Sequence, residues 1–291
     1  MCIIVDFIEG ILIGKVAEAT KPSEYYMNVR DIWSIRHINT LPRELLLHIF
    51  RFLSHSQLKS VLRVCNQWRE VGEDPILWKN FKLVVTGIEI NIMPAILGIK
   101  RFRCLQNLEV NGYSEKEKPE LSGTTLSTIL ASPVSQLTVK NCNLSQLSKE
   151  NISSLVLNLK YLSLWQIELQ SDQTKMMFGV LAKSKYLCEI DIGYGYMDLH
   201  DVSPLLLAKA FNRRKKVNIG HTKLTEDQVT KLFEVVNKRT TIRSLDVGYR
   251  DLSFLDGDLL RSALKKLESV NICPSKPVSY THLTLPTIHL V

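Results

Sequence analysis

The sequence predicts an α/β chain in two parts: a short helical unit over residues 39–78 and a solenoid of strand–helix repeats over residues 79–273. Three observations carry this. Residues 41–78 (LPRELLLHIFRFLSHSQLKSVLRVCNQWREVGEDPILW) combine helix-start signals with apolar residues on more than one helix face. Downstream, an L-x-x-L-x-L core recurs at offsets of 25 to 29 residues. Between recurrences the apolar spacing switches from the two-residue period of a strand to that of a helix.

Pro42 suits a helix start, where its missing N–H is one of the orphan donors anyway. Glu44 sets a negative charge in the first turn, where the helix dipole favours it. Leu45, Leu46, Ile49, Phe50, Phe52 and Leu53 then cover more than one face. Ser54 or Ser56 can cap a second helix, in which Leu58, Val61, Leu62 and Cys65 fall at i, i+3, i+4 and i+7. A third carries Trp68, and Asp74-Pro75 punctuates before Trp78. A unit of roughly 40 residues buries little by itself, yet its first helix is apolar nearly all round. One face should therefore pack on this chain and another on a partner.

The order Leu41-Pro42-x-Glu44-Leu45, Ile49-Phe50, Leu53, Leu58, Val64-Cys65, Trp68 and Trp78 closely resembles an F-box. That motif docks on a Skp-type adaptor of cullin-based ubiquitin ligases. The resemblance implies adaptor contact through Leu41, Pro42, Leu45, Ile49, Phe50, Leu53, Leu58, Val64, Cys65 and Trp68.

The repeat cores begin at Trp78, Leu105, Val134, Leu159, Leu187, Arg214, Ile242 and Leu267. This period is that of leucine-rich repeats, roughly 20–29 residues. Val134-Leu137-Val139-Cys142-Leu144 also fits the longer L-x-x-L-x-L-x-x-N/C-x-L pattern. Gly195, Thr222 and Arg250 replace the Asn/Cys in later repeats. Helical spacing fills the intervals: Met176/Val180 and Met177/Leu181 at i, i+4, then Val229, Leu232, Phe233 and Val236 behind a Thr225 cap. Residues 201–213 and 256–266 behave alike. Such repeats bury their apolar faces by stacking and curve into a horseshoe whose concave side is lined by the strands. Trp78 closes the F-box and also starts the repeat phase, so the two parts are expected to be rigidly fused.

Residues between the core positions face out from the strands. Glycines flanked by aromatics should open a shallow trough there, and exposed Trp and Tyr are common protein-contact anchors. A target-binding patch is expected at Tyr161, Trp165, Tyr194, His221 and Tyr249.

Composition narrows the classes. Six scattered cysteines without a C-x-x-C pair fit a reducing, intracellular compartment, cytoplasm or nucleus. The net charge of +8 permits an acidic partner without requiring nucleic acid. Arg213-Arg214-Lys215-Lys216, Lys238-Arg239 and Lys265-Lys266 lie near the ends of predicted helices, where cations complement unpaired carbonyls; the alternative is a basic rim for an acidic partner. No run has the length of a membrane span. There is no phosphate loop, G-x-S-x-G or H-E-x-x-H, and the seven histidines are too dispersed for a metal set. No cofactor, metal or catalytic residue is expected. Residues 1–38 read as a poorly defined lead-in, native or translated from upstream of the true start. In the irregular tail at 274–291, VSYTHLTLPT resembles translated cloning adaptor; the alternative is a native tail.

The sequence thus reads as a non-catalytic substrate-recognition subunit of a Skp–cullin–F-box ubiquitin ligase, with an unknown target protein on the repeats. The alternative is an adaptor-bound or free-standing interaction scaffold with no role in degradation.

Overall fold

The computed structural model describes residues 41–113, 118–193, 197–238, 241–248 and 250–272. The readings of residues 1–38 and 274–291, and of Tyr194 and Tyr249, fall outside them. The described chain forms two compact units, one of residues 41–81 with 99–104, the other of 82–98 with 105–272.

The first unit is helical: α1 (Arg43–Phe50), α2 (His55–Val61), α3 (Asn66–Gly72) and α4 (Pro75–Trp78). Its starts follow the sequence signals. Pro42 is the N-cap of α1, and its carbonyl accepts from the Leu46 amide at 3.1 Å. Ser54 caps α2 in a reciprocal box with Gln57. Cys65 caps α3 through its sulfur, which accepts from the Trp68 amide. Asp74 caps α4 ahead of Pro75. Leu46, Phe50, Leu58, Val61 and Trp68 close the core, with the Phe50 and Trp68 rings edge to face at 5.4 Å. The Trp78 indole donates to the Gly72 carbonyl at 2.7 Å. Arg43 and Asp74 pair across the unit.

The second unit alternates strands and helices. Its strands are β1 (Lys82–Thr86), β2 (Asn107–Asn111), β3 (Gln136–Lys140), β4 (Tyr161–Trp165), β5 (Glu189–Asp191), β6 (Lys216–Asn218), β7 (Ser244–Gly248) and β8 (Ser269–Ile272). They form one parallel sheet in sequence order, the arrangement of a leucine-rich-repeat solenoid. Between them lie α5 (Met93–Gly98), α6 (Gly123–Ala131), α7 (Lys149–Leu157), α8 (Ser171–Leu181), α9 (Pro204–Phe211), α10 (Glu226–Asn237) and α11 (Gly257–Leu264). The core positions pair in register, Leu108 with Leu137, Leu162 and Ile190, and all are buried. In α10, Val229, Leu232, Phe233 and Val236 are buried as the spacing predicts. In α8, Met177 and Leu181 turn inward while Met176 and Val180 stay half-buried.

The first repeat corrects the sequence reading. Leu83 stands opposite Leu108 and Val85 opposite Val110, whereas a phase starting at Trp78 would pair Phe81 with Leu108. Trp78 and Phe81 belong to the helical unit. A two-residue slip keeps every side chain on its own sheet face, so alternation alone could not exclude it.

Buried polar side chains tie repeat to repeat. Arg214, 1 % exposed, replaces the leucine of its repeat. It donates to the carbonyls of Ala210 (3.0 Å), Ser184 (3.2 Å), Leu187 (2.5 Å) and, closest, Leu181. Two of these end helices α8 and α9, the role that the carbonyl-capping reading gave to this basic cluster. Burial pushes its guanidinium down to about 10, still charged at neutral pH. Arg250 bonds the carbonyls of Val247, Ile219 and Thr222, doing the work of the missing ladder asparagine. Gln173 donates to Ser145 and Leu147, and Gln228 to Leu199 and Val202, each reaching the preceding repeat from the third position of its helix.

Arg214→Met is expected to cost about 3 kcal/mol, because its carbonyl partners stay buried without a donor. Urea unfolding of the whole chain measures this, and a loss below about 1 kcal/mol would remove Arg214 from the scaffold.

Candidate protein-docking surfaces

In the helical unit, α1 divides its apolar residues between two faces. Leu46, Ile49 and Phe50 point inward. Leu45 is 50 % exposed, Phe52 47 % and Ile76 41 %. Of the residues the F-box resemblance singles out, Pro42 and Leu45 are exposed and Val64 and Cys65 half-buried. Leu41, Ile49, Phe50, Leu53, Leu58 and Trp68 are buried, so they shape this surface from beneath. The unit's core is closed, yet it still presents large apolar side chains to solvent.

On the repeats, the open face of the sheet carries the other candidate site. Its middle column runs Val84, Glu109, Thr138, Ser163, Asp191, Asn218, Asp246 and Asn271 in register. Glu109 accepts from Lys82 at 2.6 Å and from Lys140 at 3.0 Å. Burial pushes its carboxyl up, but the two ammonium groups outweigh that and hold it below its ordinary value. The same Lys140 ammonium lies 5.1 Å from the Trp165 ring centre. Beyond it the Trp165 indole faces Asp191. Tyr161 and Trp165 share this face at the two ends of β4, and the Tyr161 hydroxyl lies against Ser163 and Thr138. His221 stands apart, exposed on the turn after β6 in the left-handed region (φ 58°). The structure therefore unites Tyr161 and Trp165.

Each of the three glycines donates its amide to the side chain two residues before it. Asp191 accepts from the Gly193 amide at 3.1 Å, Asn218 from Gly220 at 3.0 Å and Asp246 from Gly248 at 2.8 Å. The Asn218 side chain rests over Gly193, where an added Cβ would lie 2.1 Å from its Oδ1. Sequence spacing marked these glycines but not their causes: a side chain of the next strand over Gly193 and Gly220, and a left-handed φ of 62° with the Gly220 backbone close by at Gly248.

No group of three or more His, Cys, Asp or Glu among the described residues is placed to hold a metal ion. No helix among them is long and apolar enough to cross a membrane.

The comparisons with known proteins match this geometry. Residues 38–83 match the F-box-like family model, so the chain carries an F-box-like domain. Over 42 residues, 14 % of this chain and 17 % of the relative, it is 52 % identical to human F-box and leucine-rich protein 22. Over 131 residues, 44 % of this chain and 40 % of the relative, it is 28 % identical to bovine F-box/LRR-repeat protein 12. The human F-box/LRR-repeat protein 12 matches to the same extent. The chain spans less than half the length of these curated relatives.

Gly193→Ala and Asp191→Asn test the sheet face, with Gly179→Ala in α8 as the comparison. Gly193→Ala should destabilise the chain by about 1–3 kcal/mol by displacing Asn218. Gly179→Ala, in α8 with nothing within 4 Å of its added Cβ, should stabilise it by about 0.5–1 kcal/mol. Thermal unfolding distinguishes the two signs. Burial, with the charge of Asp246 adding to it, raises the Asp191 carboxyl above its ordinary value against the donors that lower it. A raised acid opposes folding while ionised, and that penalty is relieved as pH falls through its folded value. Asp191→Asn should therefore raise stability at pH 7 more than at pH 4, and an equal gain at both would refute the assignment.

Proposed function

We propose that this chain is the substrate-recognition subunit of a Skp–cullin–F-box ubiquitin ligase. The helical unit binds a Skp-type adaptor and, through it, a cullin; the repeats hold a target protein. The observation that carries the reading is the F-box-like match over residues 38–83, on a unit whose closed core still exposes Leu45, Phe52 and Ile76. Solvated apolar side chains on a closed unit favour a protein partner. Pro42, Leu45, Val64 and Cys65 form the adaptor contact, and the buried residues beneath hold its shape. The chain supplies no catalytic group. Its contribution is positional: tethering raises the target's effective concentration at the transfer machinery. Tyr161 and Trp165 are the target-side anchors.

Co-purification with a recombinant Skp-type adaptor tests the first half. Leu45→Asp, at a half-exposed position, should abolish capture with little loss of stability, while Trp165→Ala should leave capture intact. Wild-type chain that fails to capture adaptor, or Leu45→Asp that binds as well as wild type, would reject the reading. Half-lives of repeat-bound proteins, with and without residues 41–78, separate a ligase subunit from a scaffold. Unchanged half-lives would favour the scaffold.

A further inference from the structure

We infer that the open face of β4–β7 takes a basic protein segment, seating Lys or Arg side chains at Asp191 and Asp246 beside Tyr161 and Trp165. This rests on the reading that the repeats hold a target, and it names the chemistry of that target.

The charges on the face divide unevenly. Glu109 is bridged by Lys82 and Lys140. Glu189 pairs with Lys216 at 3.5 Å, and Glu268 with Arg243 at 3.7 Å. Asp191 and Asp246 are in no ion pair among the described residues. Asp191 accepts from the Gly193 amide, and the Trp165 indole stands beside it. Asp246 has the Gly248 amide and the Asn271 amide. Asp191 and Asp246 thus offer two carboxylates with no direct cationic partner among the described residues, although the Lys140 charge acts on Asp191.

Spacing sets the form of the ligand. Asp191, Asn218 and Asp246 are register partners on successive strands, so the two carboxylates sit two strands apart, about 10 Å. A segment in the polyproline II conformation crossing the strands advances about 3.1 Å per residue. With three residues per turn, its side chains at i and i+3 share one face and lie about 9 Å apart, and Asn218 between them can bond the backbone or an intervening polar group. Trp165 already shows that its ring accepts an ammonium, since Lys140 lies over it. The ring and the adjacent carboxylate together suit a second cation.

The test uses the intact chain and a displayed library of random peptides about twelve residues long. Selected peptides should be enriched in Lys or Arg, most of all in pairs at i and i+3. Replacing those arginines in a selected peptide by neutral citrulline should weaken binding at least about tenfold. The double variant Asp191→Asn, Asp246→Asn should do the same. Its fold is protected, because Asn218 already fills this column and accepts the corresponding glycine amide of its own strand, that of Gly220. A library that yields no basic enrichment, or no peptide at all, overturns the proposal, as does a double variant within about twofold of wild type. A non-basic consensus that still depends on Trp165 would keep the target-holding reading and reject this one. Adaptor capture, which the double variant should leave unchanged, separates failure here from failure of the adaptor reading.

Discussion

The repeats depend on one constraint: backbone carbonyls at the ends of strands and helices are buried by the next layer and need donors. Water cannot reach them, so side chains do the work across repeats. Arg214 serves carbonyls from two helix ends and the loop before β5. Arg250 and Thr222 bond where an asparagine ladder would run. Gln173 and Gln228 cap their own helices with one end of the amide and bond the preceding repeat with the other. Apolar stacking supplies most of the favourable free energy, while these polar ties fix the spacing at which the layers stack.

That division explains what could be read from residues alone. The strand cores and helices were legible because apolar periodicity is a local signal repeated many times. The Thr225 cap and Ser54, one of two cap candidates, were legible because a capping side chain next to its helix is also a local signal. The phase of the first repeat was not, since Phe81/Leu83 and Leu83/Val85 satisfy the same alternation and only pairing with Leu108 and Val110 decides between them. Arg214 looked like one member of a surface cluster. Its burial depends on carbonyls 27 to 33 residues away, which no local pattern reveals. A charged residue at a leucine position was the available clue.

The candidate surfaces were legible in outline and not in detail. Alternation placed Tyr161 and Trp165 on the open face, and the structure keeps them there. It could not show that Lys140 lies on the Trp165 ring, or that Glu109 holds two lysines while Asp191 holds none. In the helical unit the motif marks core and surface residues alike. Phe50, Leu58 and Trp68 are fully buried while Leu45 is half exposed, and tertiary packing makes that distinction.

The proposed labour divides between two surfaces, one for the adaptor and another for the target. Hydrogen–deuterium exchange of the intact chain, with and without a saturating Skp-type adaptor, tests it most directly. Protection should appear over residues 41–78 and leave β4–β7 unchanged. Protection centred on β4–β7, or none over residues 41–78, would contradict it.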